Sequence, residues 1–195
     1  MLKRLRGYRH DARRVRDLDS VHQMMPYILK RRCDSEVYIN EKVDVTEALK
    51  YIKQRNESDP DRKFTLFHLI LAAFSKTIIH RPYLNRFISG MRFYERYEVS
   101  FSFVIKKQFS DKGEESLMIL RTNGDSTLDE INQKVRGAVQ KVRETGGNDL
   151  DKILDLLVKF PRPVLRLFAT LLNLLEYYNC MPKSLSDVDP YYSTV

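Results

Sequence analysis

Proton transfer or metal ligation in this chain would have to start from four histidines and two cysteines: His10, His22, His68, His80, Cys33 and Cys180. Imidazole is the side chain whose ordinary pKa lets it exchange protons near neutrality, so the setting of each ring decides what it can do. His10 sits in a basic N-terminal stretch and His22 early in a helical pattern, neither with a fixed neighbour in sequence. His68 shares a helical stripe with Ala72, Ser75 and Lys76, the less apolar side of its helix. His80 falls in the last turn of the same helix, where positive charge suits the helix dipole. All four read as structural. The cysteines lack the paired spacing of a zinc or redox site, so no metal set is expected. "TNGDST" precedes a helix start and so has the position of a phosphate cradle. Asp125, Asp129 and Glu130 put negative charge where an anion would sit and cap the helix instead. No Gly-rich nucleotide fingerprint is present. No catalytic residue is assigned, and the residues that would bind a cofactor are unknown.

The elements around these residues follow from periodicity and caps. Asp19-Ser20 predicts a helix towards Arg32, kinked or delayed by Pro26. "EVYINEKVDV" places Val37, Ile39 and Val43 at even spacing and predicts a strand. Asp44 and Glu47 resemble a capping box for a helix to about Asn56. Thr65 caps an apolar helix, "LFHLILAAFSKTIIH", whose main face is Leu66, Leu69, Ile70, Ala73, Phe74, Thr77 and Ile78. Arg81-Pro82 ends it. Three strand-like runs follow, Arg86 to Ser89 turning at Gly90 into Met91 to Tyr94, then Val99 to Lys106, then Ser116 to Thr122. Their alternation argues for a largely antiparallel sheet, with both faces of "YEVSFSFVIKK" covered. A helix from about Thr127 to Glu144 buries Leu128, Ile131, Val135, Val139 and Val142 and closes at Gly146-Gly147. From Asp149 to Asn179 the chain reads as a Leu-rich helical hairpin split by Pro161 and Pro163. The expectation is that it packs on the same domain, with a membrane-surface or partner-binding face as the alternative.

A chain of 195 residues with 43% hydrophobic content fits one domain, large enough to bury roughly 70% of the surface it exposes when unfolded. The net charge of +8 is local: the first 32 residues hold ten basic groups and only Asp11, Asp17 and Asp19, which leaves the remainder nearly neutral. Residues 1–16 are read as a basic arm and 17–195 as the domain. No nucleic-acid motif accompanies the charge, so no specific nucleic-acid partner is expected. The most apolar stretch, Val164 to Leu175, is interrupted by Arg166 and Asn173 and is too short to span a bilayer. No secretory signal is read at the N-terminus, and unpaired cysteines suit a reducing compartment. The expected location is the cytoplasm.

Four stretches in order, "VYINEKVDVTEALKYIK", "FTLFHLILAAFSKTIIHRPYLNRFI", "YERYEVSFSFVI" and "STLDEINQKVRGAVQKVRE", resemble the catalytic domain of the 2-oxo acid dehydrogenase acyltransferases (dihydrolipoamide acyltransferases) and the related chloramphenicol acetyltransferases. The resemblance covers about Asp17 to Glu144. It implies an α/β two-layer sandwich, with a mixed, largely antiparallel sheet covered by helices, and a homotrimer with active sites between subunits. It also implies acyl transfer between coenzyme A and a thiol or hydroxyl acceptor. Such a reaction needs a general base and a donor for the oxyanion. In that family the base is a histidine in a C-terminal His-x-x-x-Asp-Gly motif. This sequence has no Asp-Gly pair, and "DPYYSTV" looks like the start of the family's next core strand. The expectation is therefore a standalone coenzyme A-dependent acyltransferase family protein, truncated before its catalytic segment and inactive as this chain. The alternative is a non-catalytic trimeric scaffold or binding protein of the same fold. A third reading is salt-sensitive binding of nucleic acid or membrane through the basic arm.

Overall fold

A computed structural model describes residues 9–107, 114–123, 125–147, 149–187, 189 and 192–194. Within them the chain is a mixed α/β structure with seven α-helices and two small antiparallel sheets. Most of the predicted basic arm, residues 1–8, lies outside the described residues. Its end does more than carry charge: Ala12–Arg14 forms β1, with Ala12 buried against the first sheet. The helices are α1 (Ser20–Ile28), α2 (Thr46–Ser58), α3 (Leu66–His80), α4 (Leu128–Thr145), α5 (Asp149–Val158), α6 (Arg162–Tyr177) and α7 (Lys183–Ser186).

The strands after α3 are β2 (Arg86–Ser89), β3 (Arg92–Arg96), β4 (Val99–Lys106) and β5 (Glu115–Thr122). They do not join into one sheet as the alternation predicts. The first sheet has the order β1-β3-β2, and β4 and β5 form a separate pair. Tyr97 and Glu98 make the joint between them. The β2–β3 hairpin has Ser89 opposite Arg92 across a two-residue turn, Gly90-Met91, and both turn residues have positive φ, 54° and 59°. That is the turn whose twist matches paired strands.

The core forms where α3 and α4 cover one face of β4–β5. Leu71 and Ile78 of α3, Val99 and Phe101 of β4, Leu120 of β5, and Ile131 and Val135 of α4 make one buried cluster. α4 starts where its periodicity predicts, and a reciprocal cap holds that start: the Glu130 N–H donates to the Thr127 hydroxyl, the Thr127 N–H donates back to the Glu130 carboxylate, and Gly146 ends the helix at φ 69°. The opposite face of β4 is covered only in part: Ser100 is buried, whereas Val104 is exposed.

Three other expectations are corrected. Residues 36–45 form no strand, and Val37, Tyr38, Ile39 and Val43 lie exposed. A β-prone sequence becomes a strand only beside an edge that can take its hydrogen bonds. Next, α3 buries His68, Leu71, Ser75 and Ile78, of which only Ile78 belongs to the predicted main face, and leaves Phe67, Ile70 and Phe74 largely open. A helix apolar nearly all round has no unique buried face by pattern alone, and here the hydroxyl pair Ser75–Thr122, 2.9 Å apart, marks the side that meets β5. Finally, α2 begins at Thr46 and not directly after Asp44. Asp44 Oδ1 accepts from the Thr46 N–H at 2.9 Å, while Glu47 pairs with Lys50 and closes no capping box.

Two helices, α5 and α6, occupy the stretch read as a Leu-rich hairpin. No residue of α6 is fully buried, and Leu167, Leu171 and Leu174 are exposed. Of the "DPYYSTV" stretch, Pro190, Tyr191 and Val195 lie outside the described residues. Thr194 nevertheless lies on the free edge of β4: its N–H donates to the Ser100 carbonyl at 2.8 Å, and its hydroxyl accepts from the Ser100 N–H at 3.1 Å. No described helix is long and apolar enough to cross a membrane.

Candidate functional site

The histidines are dispersed by the fold. His68 is buried in the first turn of α3, where its Nδ1 accepts from the Thr65 N–H at 3.1 Å. That bond places the ring proton on Nε2, which has no partner among the described residues. Burial holds the His68 pKa below its ordinary 6.5; the Thr65 bond opposes the shift and the Arg136 charge adds to it. His22 pairs with Asp19 on the surface, and His80 is exposed at the end of α3. His10 Nε2 lies 2.8 Å from the Ser186 hydroxyl, a pairing of base and nucleophile types. Ser186 is buried and also donates to the Lys183 carbonyl, so the contact fastens α7 to the N-terminal segment. Among the described residues no three His, Cys, Asp or Glu side chains are grouped to hold a metal.

The polar centre of the molecule lies elsewhere, under the β2–β3 hairpin, and the end of α6 builds half of it. Asn179 follows that helix at φ 55°. The N–H of Cys180 donates to Leu175 O at 2.7 Å and that of Asn179 to Glu176 O at 3.0 Å. This is the Schellman closure, in which Asn is one of the few residues that tolerate the left-handed position. It aims the Asn179 amide inward, donating to the Tyr94 hydroxyl at 3.0 Å and accepting from Arg9 Nη1 at 3.0 Å.

Arg9 is the hub, with a side chain only 4% exposed. Its guanidinium holds Asp11 through two bonds of 2.8 and 3.0 Å, and its Nη1 reaches Ser89 Oγ at 3.2 Å and Glu176 Oε1 at 2.8 Å. Phe87, Tyr94 and Tyr192 present ring faces to it. The Glu176 carboxylate also accepts from Ser89 and from the Tyr192 hydroxyl. Burial alone would weaken the charge on Arg9. The bonds and charges of Asp11 and Glu176 outweigh it and hold the Arg9 pKa above its usual value. Asp11 is held below the ordinary carboxylate value, with burial opposing and Arg9 prevailing.

Arg96 lies beside this network without joining it. Its side chain is 9% exposed and lies 4.2 Å from the Phe87 ring centroid. Its one ion pair among the described residues is to Asp11 at 3.8 Å, too long for a hydrogen bond. Burial, first, and the Arg9 charge lower its pKa, against the pull of Asp11 and Glu176.

Above these groups opens a cleft of about 840 Å³, walled by the β2–β3 hairpin, the end of α1, α6 and residues 192–194. Cationic Arg9, Lys30, Arg31, Arg86 and Arg96 line it against acidic Glu176 and Asp189. Leu29, Leu84, Ala169 and Leu172 make its apolar wall. No protein-family model matches this chain, and neither a curated protein nor a solved structure matches it. The resemblance therefore rests on its four stretches alone.

Sequence reasoning did not reach this centre, because Arg9 and Glu176 are 167 residues apart. Two local signals pointed towards it. Asn179 stands directly after the last periodic residues of α6, where it marks a helix end, and the polar stripe of Arg166, Thr170 and Asn173 extends to the cleft at Asn173.

Proposed function

We propose that this chain is a coenzyme A-dependent acyltransferase family protein, built as a two-layer sandwich of the chloramphenicol acetyltransferase type and inactive in acyl transfer as this chain. The observation that carries the reading is the packing of the resembling stretches. Those on α3, β4 and α4 supply Leu71, Ile78, Val99, Phe101, Ile131 and Val135 to a single core cluster. They are thus consecutive parts of one packed unit, as the resemblance requires. The chemistry of the family needs a base within reach of a thiol or hydroxyl. His68 is enclosed, and His10 is engaged with Ser186. The test is incubation with acetyl-CoA and a dihydrolipoyl or hydroxyl acceptor, with release of free coenzyme A thiol as the readout and calorimetry for binding. The proposal expects measurable coenzyme A binding with no turnover; absence of binding refutes it.

A non-catalytic trimeric scaffold is the second reading, favoured by the open apolar face of α3 at Phe67, Ile70 and Phe74 and by the exposed 37–43 segment. Contiguous apolar surface of that kind marks contacts between chains. A solution mass three times 23.1 kDa without coenzyme A binding selects this reading.

A further inference from the structure

We propose that the cleft binds an amphiphilic organic oxyanion, its carboxylate or phosphate head on Arg96 and its apolar part against Leu29, Leu84 and Leu172. This goes beyond the acyltransferase reading and does not depend on it.

The argument starts from what each cation already holds. Arg9 is saturated by Asp11, Ser89, Glu176 and Asn179. Arg86 donates to Glu95 at 3.2 Å. Asp11 is engaged through both oxygens by Arg9 and stands 3.8 Å from Arg96, so it attracts that charge without accepting a hydrogen bond from it. The Arg96 guanidinium, with five N–H donors, makes no hydrogen bond among the described residues, although its side chain is largely covered and lines the cleft. Its donors are left to face the cleft, and a planar oxyanion is the partner their fork fits. Phe87 beneath it fixes the plane of the guanidinium.

The volume and the walls select the remainder of the ligand. At about 840 Å³ the cleft is far larger than an inorganic ion and lies within the roughly 300–1,000 Å³ of small-molecule sites. Its cations come from the N-terminal segment, the first sheet and the residues after α1, and Leu29, Leu84 and α6 add apolar side chains to the same lining. A ligand charged at one end and apolar at the other meets both kinds of lining. Lys30 and Arg31 at the rim raise the local concentration of anions.

The test is calorimetry on the full chain with four probes: octanoate, octyl phosphate, acetate and inorganic phosphate. One-to-one binding of at least one octyl probe, well above its short counterpart, is expected; comparing octanoate with octyl phosphate identifies the head group. Arg96→Gln should weaken that binding by roughly ten- to a hundredfold, the effect of losing a charged hydrogen-bonded contact. Because the Arg96 side chain is largely covered, Ala169→Phe on exposed α6 provides a second variant that puts a ring into the apolar part of the cleft without replacing the cation, and it should weaken binding at least tenfold while leaving the circular dichroism spectrum unchanged. Equal binding of octyl phosphate and inorganic phosphate would overturn the amphiphilic assignment. Octyl-probe binding that Ala169→Phe weakens less than tenfold, or no binding of any probe, would overturn the site.

Discussion

Two glycines with opposite surroundings make the sharpest test of the packing between α6 and the first sheet. At Gly90 a Cβ would lie 2.3 Å from the Tyr177 carbonyl oxygen, which is backbone and cannot rotate away, and the residue holds φ +54°. An L-residue in that region costs about 1–2 kcal/mol, and forcing an extra methyl into a filled contact costs about 1–3 kcal/mol more. Gly90→Ala should thus destabilise by about 2–5 kcal/mol, with α6 displaced by on the order of 1 Å to restore ordinary contact. Gly137 is the internal control, for it is exposed in the middle of α4 and a Cβ there meets nothing within 4 Å. Gly137→Ala should stabilise by about 1 kcal/mol through helix propensity alone. Urea unfolding followed by circular dichroism measures both, and unchanged slopes would show that only stability moved. If Gly90→Ala lost less than about 1 kcal/mol, α6 would not rest on the β2–β3 turn as described. The walls of the cleft would then need to be redrawn.

Further outcomes follow from the buried polar groups. His68 has a depressed pKa in the folded state, so between that value and 6.5 the unfolded chain binds more protons; stability should fall as pH drops below 6.5. His68→Gln, which keeps an acceptor for the Thr65 N–H, should flatten that part of a pH–stability profile. Ser75→Ala alone leaves the buried Thr122 hydroxyl short of a partner and should cost about 1–2 kcal/mol, whereas adding Thr122→Val should recover much of the loss in thermal unfolding. Thr127→Ala removes the cap of α4 and should cost about 1 kcal/mol, read as a lowered urea midpoint.

What could be read in the sequence was whatever short-range rules determine. The β4–β5 pair follows from strict alternation and α4 from its apolar periodicity and closing glycines, and both sit where those signals put them. α3 shows the limit of periodicity: its existence was plain, but a helix so apolar gave no phase, and the buried stripe contains His68 and Ser75. The 37–43 segment shows a second limit, since strand propensity is realised only when tertiary structure offers an edge. The candidate site was almost wholly hidden. Arg9 reads as one of many charges in a basic stretch, and only the return of α6 beneath the hairpin turns it into the centre of a buried network.

The Asn85 amide connects regions described separately above. Its nitrogen donates to the carbonyls of Arg96, at the end of β3, and Glu98, in the joint between the sheets, and its oxygen accepts from the Thr194 hydroxyl. A pull on Arg96 from the cleft is therefore drawn against the same amide that fastens Thr194 along the edge of β4. The two places are candidates for thermodynamic linkage, and linkage runs both ways: a molecule that steadies Arg96 and a strand that settles along β4 would alter one another's affinity by a common factor. Amide exchange at Ser100 would then serve as a gauge of cleft occupancy read from outside the cleft.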